Sequence, residues 1–150
     1  MKLTWETKFF DELNINELYA ILQLREEVFT LEQHCFYQDM DGLDQKAAHL
    51  LGYDGEKLVA YARLFEFEEH YGSAAFGRVL IHKDYRKIKL GKTLIDKVLS
   101  EMERLFGEQK ITISAQYYLL DFYKKFGFQP IGEPYDDAGV KHIRMEKEFV

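Results

Sequence analysis

Cysteine is nearly missing from this chain. Cys35 stands alone among 150 residues, so no internal disulfide can form and a reducing cytosol is the expected home. Proline occurs only at 130 and 134, which leaves no Pro-rich linker to divide the chain. No apolar run approaches the ~20 residues that span a bilayer. The opening "MKLTWETKFF" has no signal-type apolar stretch, so a cytoplasmic protein without a membrane partner is expected. Positive charge is in deficit: 20 basic against 26 acidic side chains give −6, which argues against a nucleic-acid partner and suits a small or cationic one. The histidines at 34, 49, 70, 82 and 142 have no ligand-like spacing, so no metal is expected. "DMDGLD" lacks the register and closing glutamate of a calcium loop, and Ser73, Ser100 and Ser114 lack the strand–turn–helix elbow of a hydrolase.

What remains is ordinary globular composition, with 47% hydrophobic and 31% charged residues, in a length that suits one domain over 1–150. "LTWETKFF" reads as a strand. Asn14 caps a helix with Glu17 as its capping-box partner, and Ile15, Leu18, Ile21, Leu22, Arg25, Val28 and Phe29 follow at helical spacing. From Glu32 to Ala47 the periodicity fails, and long irregular segments in compact domains are often functional. "HLLGYDGEKLVAYARLFEF" reads as two strands turning at Asp54-Gly55, and "AAFGRVLIH" as a third. A long helix carries Leu90, Leu94, Ile95, Val98, Leu99, Met102, Leu105 and Phe106 to a Gly107 cap. "KITISAQ" is a strand, "YLLDFYKKFGF" a shorter helix ending at Gly127, and "VKHIRMEKEFV" the last strand after "FQPIGE". The fold class is α/β (α+β), with a mixed central sheet of about six to seven strands flanked by helices. The strands on either side of the long helix should run parallel through a right-handed crossover.

Three features carry candidate chemistry. "YRKIKLGKTLI" opens the long helix with Arg86, Lys87, Lys89 and Lys92. Free N–H groups and the helix dipole favour an anion there, and cations in a first turn are unfavourable without one. Charge alone reads better as a solvated basic turn than as a phosphate cradle. Arg63 and Arg78 sit among apolar strand residues, and a buried arginine needs a partner. They pair with the acids of residues 39–44, or they clamp a ligand carboxylate together with Arg25. Tyr123 lies in an aromatic stripe with Leu119, Leu120 and Phe126, which by spacing alone is core.

"RVLIHKDYRKIKLGKTLI" resembles the acetyl-CoA signature of the GNAT-type N-acetyltransferase superfamily, a strand followed by R/Q-x-x-G-x-G/A at a helix start. Arg86 matches the first position and Gly91 the last, while Lys89 stands where the middle glycine is usual. "AQYYLLDFYKKFGF" resembles the second signature, a helix with a tyrosine before an "FGF" turn. "LREEVFTLEQHCFYQDMDGLD" and "YDDAGVKHIRM" extend the likeness to the ElaA-like branch over nearly the whole chain.

The resemblance implies a three-layer GNAT-like fold, acetyl-CoA as cosubstrate, and direct attack of a small-molecule or peptide amine on the thioester. It leaves a homodimer open. Val79, Leu80 and Ile81 would pair with the pantetheine arm as with an added strand, and an N–H near Leu80 would meet the thioester oxygen. Arg86, Lys87, Ile88, Lys89, Leu90, Gly91 and Lys92 would hold the pyrophosphate through main-chain N–H groups. Glycine is needed only where φ is positive or a Cβ collides, so Lys89 is expected to adopt negative φ. Tyr123 would protonate the departing thiolate, and Gln116 would hold a pantetheine amide. The base is open among Glu32, His49, His82 and His142. His142 is preferred for its place in the last strand near the expected acceptor groove, then Glu32 on the groove's rim. Arg25, Arg63 and Arg78 are the acceptor-side candidates. The competing reading is a CoA-binding or protein-interaction module without turnover, raised by Lys89.

Overall fold

The computed structural model describes residues 2–35 and 37–149, with the side chains of Lys87 and Ile88 outside the description. One sheet of seven strands runs in the order β1-β2-β3-β4-β5-β7-β6. β1 is Thr4–Phe9, β2 Ala48–Asp54, β3 Lys57–Glu68 and β4 Ser73–Ile81; β5 is Ile111–Gln116, β6 Gln129–Asp137 and β7 Val140–Lys147. Helices α1 (Ile15–Arg25), α2 (Leu90–Phe106) and α3 (Leu120–Lys124) complete the order read from the sequence.

The strands alternate their side chains between two cores. Leu50 joins Leu94, Ile95, Val98 and Met102 of α2 on one face, while its neighbour Leu51 joins Ile21 and Leu24 of α1 on the other. Helices on both faces of a mixed sheet give the three layers. α1 starts as expected: Glu17 donates its N–H to Asn14 Oδ1 at 2.8 Å, and Asn14 donates its N–H to Glu17 Oε1 at 2.9 Å.

The helical stripe through Val28 and Phe29 does not continue as a regular α-helix. After Arg25 the chain widens into a π-type turn, Glu26–Glu32, in which Gln33 N–H donates to Val28 O at 3.0 Å. Such wide turns recur at functional sites because they displace side chains from the regular stripe.

β4 and β5 are the parallel pair, joined through Ala74–Ile111 and Ala75–Thr112. Every other neighbouring pair is antiparallel. On its other edge β4 carries a bulge. Arg63 opposes Gly77 and Tyr61 opposes Leu80, so β4 spends three steps where β3 spends two. The bulge is seated at Arg78, whose φ is +49°.

One close approach fixes the outer strand. Gly52 opposes Trp5, and a Cβ at Gly52 would lie 2.6 Å from the Trp5 ring. Gly52→Ala should therefore lower stability in urea by about 1–3 kcal/mol, because the ring must swing off its seat. Trp5 is the single tryptophan, so its emission should shift in the folded variant. An unchanged spectrum with unchanged stability would show that the ring moves freely.

Candidate active site

Beyond Thr112 the two parallel strands pair no further among the described residues. A groove of about 830 Å³ opens between them, walled by β4 from Ala75 to Ile81, β5 from Ile113 to Gln116, and the starts of α2 and α3. A shallower 460 Å³ depression at Ile131–Glu133 and Arg144 contains none of the expected site residues.

One end of the groove reaches the start of α2, where Gly91 lines it. No side chain caps α2 and no acidic residue occupies its first turn, whereas α1 is capped reciprocally. The first N–H groups of α2 are thus open to an anion. A Cβ at Gly91 would meet only ordinary contacts, 3.8 Å from Phe122 and 3.9 Å from Ile81. The fold itself does not demand that glycine.

Lys89 overturns an expectation. Its φ is +55° and ψ +27°, the left-handed conformation a glycine would take, not a negative φ. The turn between the 3₁₀ segment Lys83–Ile88 and α2 needs that reversal whatever residue occupies it. Leu90 is buried in the core, and the Lys92 ammonium is held by Asp96 Oδ2 at 2.8 Å. Neither residue lines the groove. The expected side-chain roles of Lys87 and Ile88 lie outside the described residues.

Arg86 lines the groove but is engaged. Its Nε donates to Ile81 O at 3.0 Å and its Nη2 to Glu32 Oε2 at 3.0 Å, with Nη1 also on Glu32. The Arg86 hydrogen bond holds the Glu32 carboxyl below its usual range, so Glu32 is an ionised partner of Arg86 and a weakened base.

Val79, Leu80, Ile81 and Gln116 all line the groove. Gln116 Nε2 donates to Gln33 Oε1 at 3.5 Å, tying the end of β5 to the segment after α1. Tyr123 also lines the groove, with its ring among Phe76, Phe122 and Phe128. Burial, with Tyr118 nearby, pushes its phenol up to about 12, so the proton stays on at any ordinary pH.

The histidines separate cleanly. His142 lines the groove and stacks on Tyr135. Its Nδ1 lies 2.8 Å from Val140 O, and a carbonyl can only accept. The neutral ring therefore carries its proton on Nδ1 and leaves Nε2 as a proton acceptor. His49 is removed as a candidate base: it is fully buried, its Nε2 donates to Asp44 O at 2.9 Å, and its Nδ1 accepts from Tyr61 Oη at 2.6 Å. His82 Nδ1 accepts the Asp84 N–H at 3.1 Å as a cap.

The acceptor-side arginines meet the acids of residues 39–44. Arg25 is fully buried, with Nε on Asp39 Oδ2 at 2.7 Å and Nη1 on Asp44 Oδ1 at 2.8 Å. It does not line the groove, which corrects its place among substrate ligands. Arg63 binds Asp41 at 2.9 Å and Asp44 at 3.0 Å, and Arg78 Nε binds Asp39 at 2.7 Å; both line the groove. Burial alone would raise Asp41, but Arg63 outweighs it and holds the carboxyl at about 2.

Sequence reasoning missed Gly77 and Gln33, which line the groove with these groups. A glycine inside the strand pattern "AFGRVL" was the available signal, since it marks a bulge or a close approach. Gln33, in an aperiodic polar segment, offered none.

The acetyltransferase (GNAT) domain family model matches residues 15–149. The chain is 37% identical to Protein ElaA of Escherichia coli strain K12 over 150 residues, covering 99% of this chain and 98% of that protein. The crystal structure of Escherichia coli ElaA superposes with a TM-score of 0.91 over 98% of this chain and all of that one, at 37% identity. An acyl-CoA N-acyltransferase from Pseudomonas aeruginosa superposes with 0.93 at 38% identity, over 97% of this chain and 99% of that one.

The buried network makes the fold sensitive to acid. Burial, with Arg25 and Arg63 nearby, lowers His49 below its ordinary 6.5, and Asp41 lies below its ordinary 3.8. In both, the unfolded chain takes up protons first, so stability falls as pH falls. The urea midpoint should begin to drop below about pH 6.5 as His49 is charged in the unfolded state, and drop again between about pH 4 and 2. Asp41→Asn should flatten part of the lower step. A midpoint constant down to about pH 4 would show that His49 titrates alike in both states.

Proposed function

This chain belongs to the GNAT acetyltransferase family and is an acyltransferase, and from that premise we propose that it moves an acetyl group from acetyl-CoA to a primary amine by direct attack in a ternary complex. The observation that carries the reading is one continuous groove. It joins the unpaired β4 backbone to the uncapped start of α2 and passes Tyr123 and His142 on the way.

Each part of the groove suits a part of acetyl-CoA. The free edge of β4 at Val79–Ile81 pairs with the pantetheine amides, an added-strand interaction. The first turn of α2, with Arg86 beside it, receives the pyrophosphate. A β4 N–H next to Leu80, on the edge that faces away from β3, stabilises the thioester oxygen as it becomes negative.

The proton inventory then balances. A neutral amine attacks the thioester carbon, and a C–N bond forms. The new ammonium loses its proton to His142 Nε2, held as acceptor by the Val140 carbonyl. The C–S bond breaks, and the thiolate takes the Tyr123 phenolic proton to leave as CoA thiol. Solvent returns the proton from His142 to Tyr123. The high phenol pKa keeps Tyr123 in the protonated form required of a donor.

Calorimetric titration with acetyl-CoA, followed by thiol release with a panel of primary amines, tests the reading. Binding with turnover supports the enzyme, binding without turnover of any amine supports a module, and no binding defeats both. Tyr123→Phe should lower kcat by about 10²–10⁴ with acetyl-CoA affinity nearly intact, and His142→Gln should lower kcat/KM most at low amine concentration. Full activity in either variant removes that residue from its role. Glu32→Gln should tighten CoA binding by about two- to fivefold, because Arg86 no longer has to leave a carboxylate to meet the pyrophosphate. Weaker binding would show that Glu32 supports the ligand instead.

A further inference from the structure

One buried donor in the groove has no protein acceptor among the described residues. Arg63 is 5% exposed, and its Nε is the one buried side-chain nitrogen or oxygen without a hydrogen-bond partner among the described residues. Its other two nitrogens are occupied by Asp41 and Asp44. A guanidinium N–H left unpaired in a dry site is costly, and so points to a partner that arrives with a ligand.

Open space lies on the same face of the sheet, across the ladder from Arg63. Arg63 opposes Gly77 across the β3–β4 ladder, and directly opposed residues project to the same face with Cβ atoms about 5 Å apart. A Cβ built on Gly77 meets nothing within 4 Å. The face that a side chain at 77 would fill is open, and both residues line the groove. Arg78 follows at the bulge and lines the groove as well. Its Nε and Nη2 are directed to Asp39 and Asp41, while Nη1 makes no hydrogen bond among the described residues.

The arginines of the network beside this space already have carboxylate partners. Arg25, Arg63 and Arg78 are matched by Asp39, Asp41 and Asp44, three against three. A neutral oxygen satisfies the free N–H groups without disturbing that balance, and a carboxylate satisfies them while adding one charge.

We propose that the space over Gly77 is an acceptor subsite for a carbonyl-type oxygen, so that the amine substrate is an amino acid, an amino acid amide or a peptide N-terminus rather than a plain alkylamine. This rests on the acetyltransferase reading of the same groove. Gly77 lies two residues before Val79, where the pantetheine edge begins, and strands rise about 3.3 Å per residue. An oxygen over Gly77 is therefore a few bonds from an amine at the thioester.

The probes are alaninamide, alanylalanine amide, alanine and propylamine, followed by thiol release from acetyl-CoA. Alaninamide or the dipeptide amide should be preferred over propylamine by at least about tenfold in kcat/KM referred to the neutral amine, the worth of one otherwise unpaired buried donor. Alanine as a substrate equal to alaninamide assigns the oxygen to a carboxylate, and a preference for the amides assigns it to an amide; either supports the subsite. Gly77→Ala and Gly77→Val place methyl groups in the open space, so both should fold. They should raise KM for the preferred probe in order of size and drive its advantage over propylamine towards one. Acetyl-CoA binding measured on the same proteins separates the two levels of the argument. If wild type fails to bind acetyl-CoA, the enzyme reading falls first. If it binds but prefers propylamine, turns over none of the four probes, or keeps the same preference after Gly77→Val, the subsite is overturned.

Discussion

Two residue pairs hold β4 to β5, and the groove exists because the pairing stops there. Parallel strands that continued in register would bury their N–H and C=O groups against each other and leave no edge for a ligand. Past the last pair, β4 carries the bulge at Arg78, and its β3 side resumes pairing at Leu80. β4 is therefore anchored on one edge and open on the other. The open edge is held rigidly by the rest of the sheet, the condition for an added-strand ligand to find its donors already aligned.

The ion-pair network serves that opening. A left-handed arginine in a strand carries strain of about 1–2 kcal/mol and persists only where its surroundings hold it. Asp39 provides that hold, accepting from Arg78 and from the buried Arg25 of α1. Asp44 joins Arg25 to Arg63 on β3, and its carbonyl fixes His49 on β2. The segment after the π-type turn is thus tied to α1 and to three successive strands. A polar stretch with no periodicity becomes a fixed wall because its carboxylates meet arginines that the apolar elements bring to it.

How far the sequence reveals this depends on the range of the interaction. Element order, the α1 cap, the Asp54-Gly55 hairpin and the α2 stripe are local patterns, and each is present where periodicity and turn chemistry place it. Val79, Leu80, Ile81, Arg86 and Gly91 line the groove as the motif resemblance implies, whereas Ala75, Phe76, Gly77, Leu94 and Ile95 line it although that resemblance assigns them no role there. What local pattern does not carry is the direction of a charged side chain. Arg25 continues an apolar helical stripe, yet its guanidinium is satisfied by acids 14 and 19 residues away. Glu32 has the chemistry of a base until Arg86, 54 residues on, holds it. His49, His82 and His142 are equivalent as letters. They differ only in the carbonyl, hydroxyl or amide that each meets: Asp44 and Tyr61, Asp84, or Val140.

Lys89 shows how a motif can break in sequence while its geometry survives. A glycine at this position would reach the left-handed region without strain, whereas lysine carries about 1–2 kcal/mol there. The lysine nevertheless holds φ at +55°, and α2 begins at the next residue with its first turn uncapped. Its side chain is exposed, so the change removes no main-chain donor from the cradle and sets a cation beside it. Electrostatically that cation opposes the helix dipole and favours an anion at the helix start. Arg86, beside the same helix start, pairs with Glu32. Lys92 in the first turn is likewise met by Asp96, so a basic, strained helix start on an acidic chain is held in part by the chain's own carboxylates.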